Sequence, residues 1–594
     1  MIGQSLRLLY GLLLPDERRR VVWTGLLITV AALLQLASLS ALYLFLTSAT
    51  SPTWMVPAWI DKAYTALGIL GTRNQQLAMA FGALALLVAA NGGMAIVDRA
   101  KSRLQADAQA SLSTRLLAAY LRRDYPYFLH NDSARLTKSI VHSTSVVAGN
   151  LLGPTLDLAS KAAMALAIIA LLLIVNPLVS VLTALALGAG FVAVHFALRP
   201  WIRRQGLAVG EAYRERLRVV AEALGGIKEA KVLGREESFV ERFKPPTRRL
   251  ATAQSSFEFS SHAQKYALET VAFGSILLLV AGMLVARRDV ASIVPIVGLL
   301  AIAGYRLLPA FRDIAAAVTS FVFHAPTLEE IGNDLTTVAA AIPVERLAVG
   351  TGIEIDNVGY AYDASRPVLT QATIRIPSGS IVGLVGQSGA GKSTLADLIM
   401  GLMPPDRGRI LVNGAPLDQT NLRRWRRNIG YVPQEIFLSD ATIAENIAFG
   451  LPIDQIDMES VRRSARLAQL AELVESSFPQ GYLTRVGERG VRLSGGQRQR
   501  IGIARALYND PPVIVLDEAT SDVDGATEAS IAQAIRALGG SKTIIVIAHR
   551  LTAIRACDTI HFLDGGRVVA SGSYEDLLAR NEMFRSMVEG LLVG

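Results

Sequence analysis

From Gly386 to Ser393 the chain reads Gly-Gln-Ser-Gly-Ala-Gly-Lys-Ser, the G-x-x-x-x-G-K-[ST] spacing of a loop that wraps phosphate groups. Gly386, Gly389 and Gly391, with the small Ser388 and Ala390 between them, let the backbone close around an anion. A helix starting near Gly391 would add N–H groups and a positive dipole end. Lys392 then suits the β- and γ-phosphates, and the hydroxyls of Ser393 and Thr394 follow, Ser393 as a Mg²⁺ ligand. Far downstream, the apolar run Val513–Leu516 ends in two carboxylates. Asp517 is the expected Mg²⁺ partner, while Glu518, one residue further, is free to polarise an attacking water as a general base. Leu493-Ser494-Gly495-Gly496-Gln497 lies between these two motifs, and His549 closes a second apolar run, Thr543–Ala548. A carboxylate ending a strand is often merely solvated, and a lone histidine there is usually structural. Their place in this series raises both.

The four motifs in this order resemble the ATP-binding cassette ATPases. The resemblance implies ATP and Mg²⁺ as cofactors and assigns further positions. Tyr362, with Tyr360 as the alternative, would stack on adenine. Gln434, in Tyr431-Val432-Pro433-Gln434, would touch Mg²⁺ and face the membrane domain, and His549 would contact the γ-phosphate. Ser494, Gly495, Gly496 and Gln497 would close over ATP bound by another subunit, so a second copy of the chain is the simplest partner. One departure stands out. After Thr520 the chain has Ser521-Asp522-Val523-Asp524, where the family usually has Ser-Ala-Leu-Asp.

The elements that carry these residues fill only part of the chain. At 594 residues, 51% hydrophobic and 18% charged, the protein matches a membrane domain joined to a soluble one. The net charge of +9 does not point to nucleic acid, because Lys and Arg concentrate between apolar runs. A single cysteine, Cys557, excludes an intrachain disulfide framework. Val21–Leu46 is charge-free and too long for a signal peptide core. Leu77–Val97, two halves of Ala162–Leu198 split at Asn176-Pro177, Tyr266–Ala286 and Val290–Leu308 bring the total to six spans. Lys and Arg number 26 on one side and 4 on the other, which predicts cytoplasmic termini. Met1–Leu14 is expected on the membrane surface.

The fold expected is therefore an α-helical transmembrane domain over 1–325, a polar linker over 326–350, and an α/β P-loop nucleotide-binding domain over 351–594. Long cytoplasmic helices should break near Asp124-Tyr125-Pro126, near Gly225-Gly226 and at Pro245-Pro246. The resemblance places coupling helices near 124–138 and 226–240. Fusion of both domains and the Val486–Gly490 segment resemble exporters in a bacterial inner membrane.

Cargo is the least specified expectation. Asp157, Lys161, His195, Glu269 and Arg306 are ionisable residues at membrane depth, with Asp157 and Lys161 spaced to pair with each other. Arg306, Arg287 and Arg288 suit an anionic head group. An outer segment with Trp54, Trp59, Ile60, Tyr64 and Leu67, together with Gly226-Ile227-Lys228-Glu229 and Tyr305-Arg306-Leu307-Leu308-Pro309, is similar to flippases of lipid-linked oligosaccharides. The alternatives are a general lipid or hydrophobic-drug exporter and, further off, an ATP-gated channel or regulatory subunit.

Overall fold

The computed structural model describes residues 2–50, 72–175, 177–285, 290–336, 345–363, 365–518, 536–548 and 550–593, with a few single positions between them. They form two compact units, Met1–Arg123 with Tyr127–Ala339, and Ala340–Gly594 with Asp124–Pro126.

The first unit is helical: α1 (Ile2–Leu12), α2 (Pro15–Thr50), α3 (Thr72–Leu121), α4 (Tyr125–His130), α5 over 133–175, α6 (Pro177–Gly225), α7 (Ile227–Val232), α8 (Glu236–Val285) and α9 (Val290–Thr336). The described residues of the six apolar runs fall on the long helices, since Ala- and Leu-rich sequence has high helix propensity. Among the described residues, four stretches are long and apolar enough to cross a membrane: Pro15–Leu42, Arg73–Leu121, Ser133–Ala170 and Leu307–Leu335. The 50-residue α3 and α8 reach ~75 Å at ~1.5 Å per residue, more than twice the ~30 Å of a bilayer core. Short helices α4 and α7 sit at the breaks expected near 124 and 226.

Several expectations change here. Pro245-Pro246 does not break the chain but lies inside α8. Interior proline costs about 3 kcal/mol, and packing against α6 offsets it: Pro246 is buried, and Arg242–Glu222 (2.6 Å) and Arg249–Glu215 (2.7 Å) pin the two helices on either side. Asp157 and Lys161 do not pair with each other. Asp157 bonds Lys101 of α3 at 2.6 Å, and Lys161 meets Asp313 of α9 at 3.4 Å, because each faces a different neighbouring helix. Glu269 pairs with Lys265 at 3.9 Å. Helix α9 continues through Thr336, well into the stretch read as linker, since Leu328, Ile331 and Leu335 are buried against Leu9 and Leu12 of α1. That contact also places one face of α1 against protein. Gly332 makes room for it, as a Cβ there would stand 3.0 Å from a Leu8 methyl.

In the second unit the first two strands, β1 (Gly352–Asp363) and β2 (Arg366–Pro377), do not join the parallel sheet. They pair antiparallel, and β1 pairs on its other edge with β4 (Arg407–Val412), followed by β5 (Ala415–Pro416). The main sheet has the order β10-β9-β3-β8-β7-β6 among the described residues. Here β3 is Ile381–Gly386, β6 Ile429–Val432, β7 Val513–Asp517, β8 Thr543–Ile547, β9 Thr559–Asp564 and β10 Arg567–Gly572. All but β10 run parallel. The central strands β3, β7 and β8 are rich in Val, Ile and Leu and buried along nearly their whole length, as expected for strands covered on both faces.

Candidate functional site

Strand β3 is buried along its whole length and delivers the Gly386–Gly391 loop to the carboxyl edge of the parallel sheet, where such folds bind ligands. The loop leads into α10 (Lys392–Ile399). Gly391 caps that helix at φ +94°, and a Cβ there would lie 2.8 Å from Leu369 Cδ2 and 3.1 Å from the Val368 carbonyl. Only glycine combines that backbone angle with that approach.

Strand order then assembles the rest. With β3, β8, β7 and β6 adjacent, Asp517 at the end of β7 and Gln434 just beyond β6 emerge on the same edge as the loop. Lys392 is buried, and its Nζ donates to the carbonyls of Gly386 (2.8 Å) and Gln387 (2.9 Å). Burial holds its pKa below the ordinary lysine value, while Glu518 and Asp517 pull the other way. Asp517 is raised, first by burial and then by the like charge of Glu518. Its Oδ1 is buried with no hydrogen-bond partner among the described residues. Glu518 turns into the left-handed region at φ +47°, a conformation that costs ~1 kcal/mol or more outside glycine. Its N–H is held by the Ile547 carbonyl at 3.1 Å, and its Oε2 accepts from Gln434 Nε2 at 2.8 Å. Two residues far apart in sequence thus meet beside an unpartnered carboxylate oxygen.

Tyr362 places its hydroxyl 3.3 Å from Thr394 Oγ1, and its ring packs edge-on against Tyr360 at 5.1 Å. Both tyrosines therefore border the loop helix, with Tyr362 in contact with it. Ser494 caps α11 (Gly495–Leu507): its Oγ accepts from Gln497 N–H, and Gln497 Oε1 accepts from Ser494 N–H at 2.9 Å. Among the described residues, no hydrogen bond links this segment to the Gly386–Ser393 loop. His549, Asp522 and Asp524 lie outside the described residues, as do Arg287, Arg288, the Arg306 and His195 side chains, and Trp54, Trp59, Ile60, Tyr64 and Leu67 of the outer segment.

One residue escaped the motif reading. Asp397, one turn past Ser393 on α10, has its carboxyl pushed up to about 6, first by burial and then by Asp517. An acid inside the apolar run Leu395–Met400 was the available signal.

An Asp carboxylate, a Ser hydroxyl and phosphate oxygens make the hard donor set Mg²⁺ takes, with water completing the shell. The open Asp517 Oδ1 fits that role. Residues 24–305 match the ABC transporter transmembrane region, and residues 369–521 match the ABC transporter family. The chain belongs to the ABC transporters. This transporter is 33% identical over 478 residues to an ATP-dependent lipid A-core flippase of Cupriavidus metallidurans, covering 78% of each chain. It is 42% identical over 249 residues to an ATM1-type heavy metal exporter of Novosphingobium aromaticivorans, covering 42% of this chain and 40% of that one. A solved bacterial Atm1-family ABC exporter with ATP bound superposes at a TM-score of 0.80 with 26% identity, over 96% of this chain and 98% of that one. The transporter is thus an ATP-hydrolysing exporter, a helical transmembrane domain fused to a C-terminal nucleotide-binding domain.

Proposed function

We propose that the transporter works as a homodimer in a bacterial inner membrane, its termini cytoplasmic and each chain crossing six times. In this reading it moves an amphipathic anionic lipid of the lipid-linked oligosaccharide class from the inner to the outer leaflet. Each ATP is held by Lys392, Ser393 and the glycine loop of one copy, with adenine on Tyr362, and is closed over by Ser494, Gly495, Gly496 and Gln497 of the other. His549 contacts the γ-phosphate. Ser393, Asp517 and Gln434 would hold Mg²⁺, which when bound would supply charge neutralisation at the phosphoryl oxygens. Glu518 accepts the proton of the attacking water, with Gln434 fixing its carboxylate. The 2.8 Å contact between Gln434 and Glu518 beside the open Asp517 oxygen carries this assignment.

ATP favours the closed pair of ATPase domains, and α4 and α7 carry that preference to the membrane helices, giving alternating access. The cargo class is supported by the relative named as a lipid A-core flippase along most of the chain. A cavity of about 520 Å³ in the helical unit, lined by Lys101, Lys161, Asp157, Asp313, Asn150 and Phe257, offers polar and aromatic walls. Its lysines are already paired with carboxylates, so Arg306, Arg287 and Arg288 remain the proposed contacts for anionic charge.

The test is ATP-dependent movement of a fluorescent polyprenyl-pyrophosphate glycan between leaflets of proteoliposomes, with Glu518→Gln as the blank. Movement above the blank is expected. Robust hydrolysis without movement would discard this cargo class.

A further inference from the structure

The end of α9 is tied to the tip of the α3–α5 hairpin by a closed ring of contacts. Asp334, two residues before α9 ends, is buried and accepts from the Tyr120 hydroxyl at 2.6 Å. Arg135 Nη2 lies 3.3 Å from both its carboxylate oxygens, and Arg123 Nη2 donates to its backbone carbonyl at 3.1 Å. One turn earlier, Glu330 takes Lys138 Nζ at 2.7 Å, Ser139 Oγ at 3.3 Å and Arg135 Nε at 3.6 Å. The ring then reaches α4. Tyr120 stacks on Tyr127 with centroids 6.1 Å apart, and the Arg123 guanidinium lies 5.0 Å over the same ring. Asn131 donates to the Tyr127 carbonyl at 2.8 Å and accepts from Arg135, which returns the path to Asp334.

Buried pairs of this kind add little net stability, because desolvation offsets the attraction. In some proteins such groups instead set which turn of one helix meets which turn of another. Here the fixed turn is the last of the helix that precedes the nucleotide-binding domain. The fixed partner is the hairpin tip, since Arg99–Leu121 at ~1.5 Å per residue carries α4 ~35 Å beyond the apolar part of α3. Starting at the clamp residues Lys138 and Ser139, α5 takes π geometry over Lys138–Ser143 and again over Val147–Leu152. Such turns occur mostly as short bulges inside α-helices, frequently at functional sites.

We propose that Asp334 is a positioning residue that locks the last turn of α9 to the α4 hairpin tip, so that both move as one when nucleotide binds and drive the π-helical part of α5. The proposal needs the family assignment but no particular cargo.

Hydrogen exchange of the full-length transporter in nanodiscs, with and without Mg²⁺ and a non-hydrolysable ATP analogue, tests it. In the unsubstituted protein, nucleotide should change exchange across 138–152. In Asp334→Asn that change should fall at least about fivefold while ATP hydrolysis stays within about twofold, the signature of lost coupling between sites. Tyr120→Phe, which keeps the ring stack and loses the hydroxyl, should act in the same direction if Asp334→Asn folds poorly. Exchanging the charges, Glu330→Lys with Lys138→Glu, should restore part of the response lost in Glu330→Lys alone. A full exchange response in Asp334→Asn and Tyr120→Phe overturns the clamp. So does a proportional fall of hydrolysis and response, which would mean a merely structural role, or no nucleotide response over 138–152 in the unsubstituted protein.

Discussion

Replacing Glu518 with Gln isolates one charge at the candidate hydrolytic site. The amide has nearly the same shape, and its oxygen can still accept from Gln434 Nε2, now 2.8 Å from the carboxylate. What disappears is the proton acceptor and the like charge that helps raise Asp517. Asp517 therefore becomes a more readily ionised ligand, and nucleotide with Mg²⁺ should bind at least as well. Lys392 loses one of the two charges that raise its pKa, yet Asp517 remains. The chemical step loses general-base assistance, worth about 10²–10⁴ in rate, or ~3–5.5 kcal/mol of barrier. In reconstituted protein, kcat for ATP should fall by about that factor. The KM should not rise, and nucleotide should be retained through gel filtration. Hydrolysis within about threefold of the parent would remove Glu518 from the base role, because no general base is lost so cheaply. Loss of ATP binding would instead make it a binding residue.

Two further outcomes follow from the same site. Gly391→Ala forces a side chain onto φ +94° and within 2.8 Å of Leu369, so it should cost ~1–3 kcal/mol and weaken ATP binding, read by thermal midpoint and nucleotide titration. Asp397→Asn should stabilise the nucleotide-binding domain at pH 7.5. With its folded pKa raised to about 6, the acid favours folding fully below the ordinary carboxylate range, and that contribution is lost as pH rises through 6. Above that, the ionised group is a burden of about 1 kcal/mol after discounting for partial exposure. The gain in melting midpoint should shrink at pH 5 and vanish near pH 4; an unchanged midpoint at pH 7.5 would show that the carboxylate is already well solvated.

The phosphate loop, the paired carboxylates and the apolar stretches were readable from spacing, because each depends on local chemistry, while the Ser494–Gln497 run took its role from the family resemblance. Glycine geometry, strand-end placement and bilayer-length hydrophobicity act within a few residues or one helix. Which distant groups meet was not readable. Nothing in the spacing of Gln434 and Glu518 requires contact; the order β3-β8-β7-β6 brings them to one edge. Asp157 and Lys161 stand four apart on one helix, yet each bonds a different neighbour, since packing decides which side of α5 faces which helix. Pro245-Pro246 signals a break locally, and the long interface with α6 overrides it. Sequence alone determined the parts of this exporter and the chemistry each can do. Only the tertiary structure decided the pairings, because a residue's partner depends on the packing of whole elements, which no local pattern encodes.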